Sequence, residues 1–304
     1  MYMGTLLKSL LTLFLLVATG YVIKKINLVS DNTTDELSDV LLKVIVPCSI
    51  IASGFEGKSG DVKKLGLSFL IISLCYISFF IISFLVFRVI VKEKGKRNIS
   101  VNMCVFANTS FIGLPLTQVL FGSEGMIYAV IYNLLYNVFM FTYGIRLFDG
   151  ERKEKVDIKG ILLEPLTISS VLSIILFLLP IENGGVIEDF FAAIGGVSGP
   201  LSMMLVGSWL IGMDLKKVMA KPLCYVVSLM RLLILPFIVY LVLSLFPMDE
   251  VMRNTIVLMS ALPVGTLNVI FSKKYGGDAT FPNETMMQSL ALSVVTIPLI
   301  VLLF

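Results

Sequence analysis

The sequence contains no histidine, so no imidazole is present to act as a proton relay, a metal ligand or a catalytic base. Only 15% of the residues are charged and 57% are hydrophobic, which lies outside the usual composition of soluble globular domains. The cysteines are few, and each lies in an apolar segment without metal-site spacing: Cys48, Cys75, Cys104 and Cys224. They are predicted to be small buried side chains without disulfides. The composition indicates a polytopic membrane protein.

Several functional signals are also missing, and each absence excludes a class of function. No nucleophile–base pair or metal-ligand cluster appears in the sequence, so an enzyme is not expected. No nucleotide-binding loop appears, which argues against ATP-driven transport by this chain. Basic stretches with interleaved aromatic residues do not occur outside the apolar segments, which argues against nucleic-acid binding. No cofactor and no metal are expected.

Ten apolar segments are each long enough to cross about 30 Å of hydrocarbon in a lipid bilayer. These spans are predicted at residues 5–23, 37–54, 65–90, 98–120, 124–147, 158–180, 187–213, 222–246, 251–272 and 284–304. The positive pair Lys24-Lys25 follows the first segment instead of preceding it, so this segment is interpreted as a retained span and not as a signal peptide. The prediction is an all-α protein with ten transmembrane helices.

The distribution of lysine and arginine predicts the orientation of these spans. Cationic residues concentrate in the connections that follow spans 1, 3, 5, 7 and 9, whereas the opposite side carries only Lys58, Lys63, Lys64 and Arg253. Cytoplasmic connections are the ones enriched in lysine and arginine. We therefore expect a multi-pass protein of the cell membrane with both termini outside and the connection 148–157 in the cytoplasm.

The connection 148–157 divides the chain into two halves of five spans, residues 1–147 and 158–304. Because each half has an odd number of spans, the second half must be inverted relative to the first. Prolines mark the second and fourth spans of both halves, at Pro47, Pro115, Pro200 and Pro263. This matching pattern predicts two inverted repeats, in which spans 4 and 9 are broken and cross each other.

The two interrupted spans carry the predicted binding site. In span 4, polar residues precede Gly113-Leu114-Pro115, where a break is predicted, and in span 9 the break is predicted around Pro263. Each proline suits the first turn of a new half-helix, and two such helix N-termini near the bilayer midplane favour an anion such as a carboxylate. A simple proline kink remains the alternative for either break alone. The predicted substrate-binding residues are Asn108, Thr109, Ser110, Gly113, Pro115, Asn137, Pro263, Gly265, Thr266 and Asn268.

Other polar residues inside the spans have both a functional and a structural interpretation. Asn137 is expected to line the cavity, whereas Tyr128, Tyr132 and Tyr136 on the same span suit packing between helices. Arg231 lies deep in span 8, where a buried charge needs a partner and indicates a possible electrostatic role in the site. Glu164 and Lys43 lie nearer the predicted cytoplasmic boundary, so snorkelling or structural ion pairs are expected for them.

Together, the ten spans, the motif Asn108-Thr109-Ser110-Phe111-Ile112-Gly113-Leu114-Pro115 and the Pro263 interruption resemble the auxin efflux carrier family. The chain is similar to the compact bacterial members, which include malonate and malate permeases. This resemblance implies the crossover fold of bile-acid sodium symporters and sodium–proton antiporters. It also implies a scaffold of spans 1, 2, 6 and 7, a moving transport domain of spans 3–5 and 8–10, an elevator-like mechanism and a homodimer joined through the scaffold.

The chain departs from the plant carriers in two respects, a short central connection and a third span without an acidic residue. Proton coupling through span 3 is therefore not expected. The function expected from the sequence is secondary transport of a small organic carboxylate, which is bound mainly by Asn108 and backbone amides. An anion channel and a membrane receptor for an organic anion are the alternatives.

Overall fold

The computed structural model describes residues 2–55, 62–149, 162–179, 184–211, 221–273 and 279–304. Most of the predicted cytoplasmic connection lies outside the described residues. Helices account for nearly all of the described chain, and they occur in all ten predicted ranges. We number them α1 Tyr2–Lys25, α2 Asp31–Phe55, α3 Val62–Ile90, α4 Lys94–Val105, α5 Thr109–Phe148, α6 Pro165–Leu178, α7 Gly185–Gly195, α8 Ser198–Trp209, α9 Pro222–Ser244, α10 Glu250–Ser260, α11 Thr266–Phe271 and α12 Thr280–Val301.

Six continuous helical segments in the described parts of the chain are long and apolar enough to cross a membrane: α2, α3, α5, α7 together with α8, α9 and α12. The prediction of a helical membrane protein is thus confirmed, whereas the number of spans and the inverted repeat remain predictions. Within α5, Gly122 has non-helical backbone angles, with φ 59° and ψ −154°. This interruption falls between the ranges predicted for spans 4 and 5.

Three wide π-helical turns lie directly before proline residues. The turns Leu41–Ile45, Thr109–Gly113 and Met230–Ile234 are each followed by an α-helical stretch whose second residue is Pro47, Pro115 or Pro236. Proline lacks the amide that would donate to the carbonyl four residues earlier, and a π turn shifts the hydrogen bonds to the carbonyl five residues earlier. Consistent with this, Val46 donates to Leu41 and Leu235 donates to Met230.

The predicted position of the break in span 4 was wrong. The helix ends at Val105, and Phe106 is extended, whereas Gly113 and Pro115 lie in the π turn and the helix that follow. The role predicted for Pro263 was also wrong, because it lies in the non-helical stretch before α11 and not in the first turn. The missing amide of Pro115 is accommodated by the π turn, so this proline does not require the helix to end there.

The described chain falls into two compact units. Unit 1 comprises Met1–Ser68, Ser110–Asn133 and Leu162–Met213, and unit 2 comprises Phe69–Thr109, Leu134–Ile161 and Asp214–Phe304. Both units are built from segments that are distant in sequence.

Close approach of helices through glycine holds unit 1 together. A methyl group at Gly20 would lie 1.9 Å from the carbonyl oxygen of Met204, and one at Gly207 would lie 2.0 Å from that of Val17. Similarly, a methyl group at Gly195 would lie 2.5 Å from the Cα atom of Ser49. Small residues let helices pack backbone against backbone in membranes, where packing replaces the hydrophobic effect. Gly195 at the end of α7 thus brings this helix against the backbone of α2.

The four cysteines are buried free thiols, as predicted. In contrast, large apolar side chains are exposed along helices such as α3, where Leu70, Leu74 and Val89 are among them. An apolar exposed surface suits hydrocarbon as the solvent.

Candidate functional site

Two extended segments of unit 2 pair with each other where helices α4 and α10 end. The amide of Asn108 donates to the carbonyl oxygen of Pro263 at 2.8 Å, and the amide of Gly265 donates to that of Phe106 at 3.0 Å. Ala107 and Val264 form an antiparallel bridge between these two bonds. We call this pairing of residues 106–108 with 263–265 the crossover. It satisfies backbone groups that a break inside hydrocarbon would otherwise leave without partners.

Gly265 is required for the close approach of the two segments. A methyl group at this position would lie 2.6 Å from the carbonyl oxygen and 2.9 Å from the carbonyl carbon of Ala107. The φ angle of Gly265 is −75°, which any residue can adopt, so the constraint is steric and not conformational.

Two side chains complete the hydrogen bonding of the crossover. Asn268 is fully buried, and its Nδ2 donates to the carbonyl oxygens of Phe106 at 2.9 Å and Gly265 at 3.0 Å. Ser289 of α12 accepts the amide hydrogen of Val264 at 3.0 Å. Both donor hydrogens of the Asn268 amide therefore support the backbone, although the sequence suggested a ligand-binding role.

The side chain of Asn108 differs from that of Asn268. It is 9% exposed, and it makes no hydrogen bond to any residue that the structure describes, although its backbone amide is part of the crossover. A side-chain amide supplies two donors and one acceptor oxygen. Asn108 therefore has both donors and its acceptor left for a ligand, whereas Asn268 has only its buried Oδ1 without a partner in the described chain. The neighbouring predicted residue Thr109 is buried, and Thr266 is exposed at the start of α11.

The other predicted residues have structural surroundings of their own. In unit 1, Ser110 Oγ donates to Asn133 Oδ1 at 2.9 Å, and Gly113 and Pro115 are buried around the π turn. In unit 2, Asn137 is buried. This hydrogen bond between residues of spans 4 and 5 was not predicted from the sequence.

Arg231 is fully buried in unit 2, and backbone carbonyls surround its guanidinium group. Nε donates to Leu262 at 3.0 Å and Nη2 to Met259 at 3.3 Å, while Nη1 lies 3.1 Å and 3.5 Å from the carbonyl oxygens of Cys104 and Val105. The aromatic ring of Phe79 covers the group, with its centre 5.8 Å from Cζ. All of these hydrogen-bond acceptors are backbone carbonyls, and none of them is a carboxylate.

These carbonyls belong to the C-terminal ends of two helices and to the stretch beyond one of them. Cys104 and Val105 end α4, Met259 lies in the last turn of α10, and Leu262 follows it. Each helix C-terminus carries about half a negative charge, so the two ends together match roughly the single positive charge of arginine. A buried arginine was expected to have a partner, and the two helix termini fill this role for Arg231.

A polar seam between α9 and α12 was missed by the sequence analysis. Its contacts are Lys221 Nζ to Glu284 Oε2 at 2.5 Å, Thr285 Oγ1 to Cys224 Sγ at 3.3 Å, and Ser228 Oγ to Gln288 Oε1 at 3.0 Å. The signal was the spacing of Glu284, Gln288 and Ser289 along one helix.

The comparison with known proteins identifies the family. A family model described as membrane transport protein matches residues 5–301. The chain belongs to this family. The resemblance to auxin efflux carriers, which this family model covers, is thereby confirmed, and the protein is a membrane transporter. Since the match extends over nearly all of the chain, the crossover lies within the family region.

Two curated relatives extend over the same length. An uncharacterized transporter of Methanothermobacter thermautotrophicus is 23% identical over 303 residues, which are 98% of each chain. Another uncharacterized transporter, of Methanocaldococcus jannaschii, is 22% identical over 299 residues, which are 95% of this chain and 96% of the relative. These names support the class of transporter and give no substrate.

Proposed function

We propose that this membrane transporter is a secondary carrier of a small organic carboxylate, which binds at the crossover through the side chain of Asn108. The observation that carries this proposal is the contrast within unit 2 between Asn108 and the residues around it. Asn268 and Ser289 bind the backbone of the crossover with their side chains, and Arg231 binds carbonyls of the helix ends beside it. In contrast, the side-chain amide of Asn108 has no partner among the described residues. Because Asn108 keeps some exposed surface, a ligand can reach the two donors and the acceptor of its side chain.

A carboxylate suits this position for electrostatic reasons. Arg231 offsets the negative charge at the ends of α4 and α10, so a bound anion does not face those carbonyl dipoles unscreened. A neutral amide can bind a carboxylate and also release it, which a carrier requires on every cycle. Auxin-like monocarboxylates and dicarboxylates such as malonate or malate both belong to the proposed class.

The proposed mechanism is elevator-like alternating access, in which a transport domain carries the site across a scaffold. The division of the chain supports it, because unit 1 contains the ranges of spans 1, 2, 6 and 7 while unit 2 contains the crossover. Residues Ser110–Asn133 group with unit 1, so we assign only part of spans 4 and 5 to the transport domain. The proposal retains ten spans in two inverted repeats, both termini outside, and a homodimer joined through the scaffold.

Transport into proteoliposomes tests the function. Radiolabelled malonate, malate and indole-3-acetate would be offered to liposomes containing the wild-type protein, the Asn108→Ala variant or no protein. We expect saturable uptake of at least one compound, acceleration by the same compound inside the vesicles, and strong loss in Asn108→Ala. Ionic currents without saturation would instead indicate a channel, and binding without uptake would indicate a receptor.

A further inference from the structure

The buried guanidinium group of Arg231 lies among backbone carbonyl groups at the ends of two helices. Carbonyl groups at the ends of broken helices are the groups with which many secondary transporters hold a coupling cation. In this protein, four such carbonyls, from Cys104, Val105, Met259 and Leu262, lie 3.0 to 3.5 Å from the nitrogen atoms of Arg231. In this protein, the positive charge at these helix ends is therefore supplied by the side chain of Arg231 and not by a bound ion.

We propose that Arg231 is a positioning residue that serves as the built-in cation of the crossover. It joins the C-terminal end of α4 to that of α10 and cancels their negative charge, so that the crossover binds an anion without a mobile cation at this place. The part of this inference that concerns the anion rests on the proposed function, whereas the part that concerns the helix ends does not.

The geometry separates this role from that of a substrate ligand. The guanidinium group has no exposed surface, its three nitrogen atoms all point to backbone carbonyls, and Phe79 covers one face. A substrate carboxylate would have to displace these bonds and leave buried carbonyls without donors, which costs free energy. Arg231 therefore acts on the substrate through the backbone and its field, not by contact.

Arginine is better suited to this position than lysine. Its planar fork presents five N–H donors in fixed directions, so one side chain reaches the ends of two separate helices. Lysine would keep the charge but has a single donor atom at the end of a flexible chain. The Arg231→Lys variant thus separates the charge from the bridging geometry, and Arg231→Gln removes both the charge and most of the donors.

Disulfide formation across the crossover measures whether Arg231 holds the two segments. In a variant without the native cysteines, Ala107→Cys and Val264→Cys would be combined, because residues opposite each other in an antiparallel pair lie at disulfide distance. We expect Arg231→Gln to slow oxidation of this pair at least tenfold and Arg231→Lys to slow it less. Arg253→Gln is the matched control, since Arg253 contacts Glu250 and Asn254 near the start of α10, and it should leave the rate unchanged.

Chemical rescue distinguishes a lost cation from general damage. Methylguanidinium at millimolar concentration should restore most of the rate in Arg231→Gln and leave the wild type and Arg253→Gln unaffected. Unchanged cross-linking in folded Arg231→Gln protein would overturn the proposal. If Arg231→Gln does not fold, Arg231→Lys decides, because a wild-type rate in that variant would equally overturn the bridging role.

Binding of malonate tests the consequence for the anion. The wild type should bind malonate equally in sodium and choline buffers, and Arg231→Gln should bind at least tenfold more weakly but recover partly with sodium or methylguanidinium. A loss of binding with normal cross-linking and no rescue would instead make Arg231 a direct ligand and overturn the inference. If the wild type binds no malonate, this carboxylate is not its ligand, and the cross-linking result still decides the role of Arg231.

Discussion

The two extended segments of the crossover each have an asparagine beside them, and the two residues differ in what their side chains do. Asn268 donates both of its side-chain hydrogens to backbone carbonyls and is fully buried. Asn108 contributes its backbone amide to the pairing and leaves its side chain without a partner in the described chain. Amide hydrogens that are bonded to the backbone stabilise the architecture, as in Asn268, whereas an amide whose donors and acceptor are all free among the described residues, as in Asn108, is available for a ligand. The two backbone hydrogen bonds of the crossover are arranged symmetrically, but the two asparagine side chains beside them have different roles.

The largest expected effect is that of a substitution at Gly265, where the two segments of the crossover come closest. Gly265→Val would push side-chain atoms into the carbonyl of Ala107, a backbone group that cannot move aside cheaply. Because the clashing neighbour is backbone, we expect a cost above the usual range of about 1–3 kcal/mol for overpacking, and therefore little folded protein by size-exclusion chromatography. Gly66→Val is the control, because a side chain at Gly66 meets nothing within 4 Å. Equal folding of the two variants would contradict the close approach.

Removing the side-chain amide of Asn268 should reduce stability. Asn268→Ala deletes two buried hydrogen bonds, each worth about 0.5–1.5 kcal/mol net, while the carbonyls of Phe106 and Gly265 keep their backbone donors. We therefore expect a clearly lower midpoint of thermal unfolding, measured in detergent, than for the wild type. The control is Asn283→Ala, which changes an exposed asparagine on α12. A midpoint equal to that of the control would mean that Asn268 is not a structural residue.

The smallest expected effect concerns the π turn before Pro115. Pro115→Ala restores an amide that can donate to the carbonyl of Phe111, so the wide turn can tighten into regular α-helix. Thermal stability should stay equal or rise, while carboxylate binding should weaken because Thr109 and the residues after it shift. Unchanged binding in this variant would show that the turn does not position the site.

The sequence predicted the interruption of span 9 at its observed place around Pro263, but it misplaced the interruption of span 4. Polar residues followed by Gly113 and Pro115 indicated a break, but a π turn absorbs the missing amide, and the helix ends earlier, at Val105. The position depends instead on two hydrogen bonds between distant residues, from the amide of Asn108 to the carbonyl of Pro263 and from the amide of Gly265 to the carbonyl of Phe106. Such pairing between distant segments leaves no local pattern.

For the candidate site, too, the sequence indicated individual residues but not their partners. Asn108 was identified from its place beside a polar interruption, and Arg231 from the cost of burying a charge in a membrane. The partners of Arg231 could not be predicted, because backbone carbonyls at helix ends carry no residue-specific signal. Ser289 was missed for a related reason, since its role depends on the amide of Val264 and not on its own surroundings in sequence.

The most direct test of the proposed site is the binding of carboxylates to purified wild type, Asn108→Ala and Asn283→Ala by titration calorimetry. Malonate, malate and indole-3-acetate are the ligands to compare, and thermal unfolding shows that each variant is folded. A hydrogen bond to a charged group is worth about 1.5–3 kcal/mol. The account therefore predicts that Asn108→Ala binds about ten- to a hundredfold more weakly, with stability and Asn283→Ala affinity unchanged. Wild-type affinity in folded Asn108→Ala protein would contradict the central claim, since the anion would then bind elsewhere.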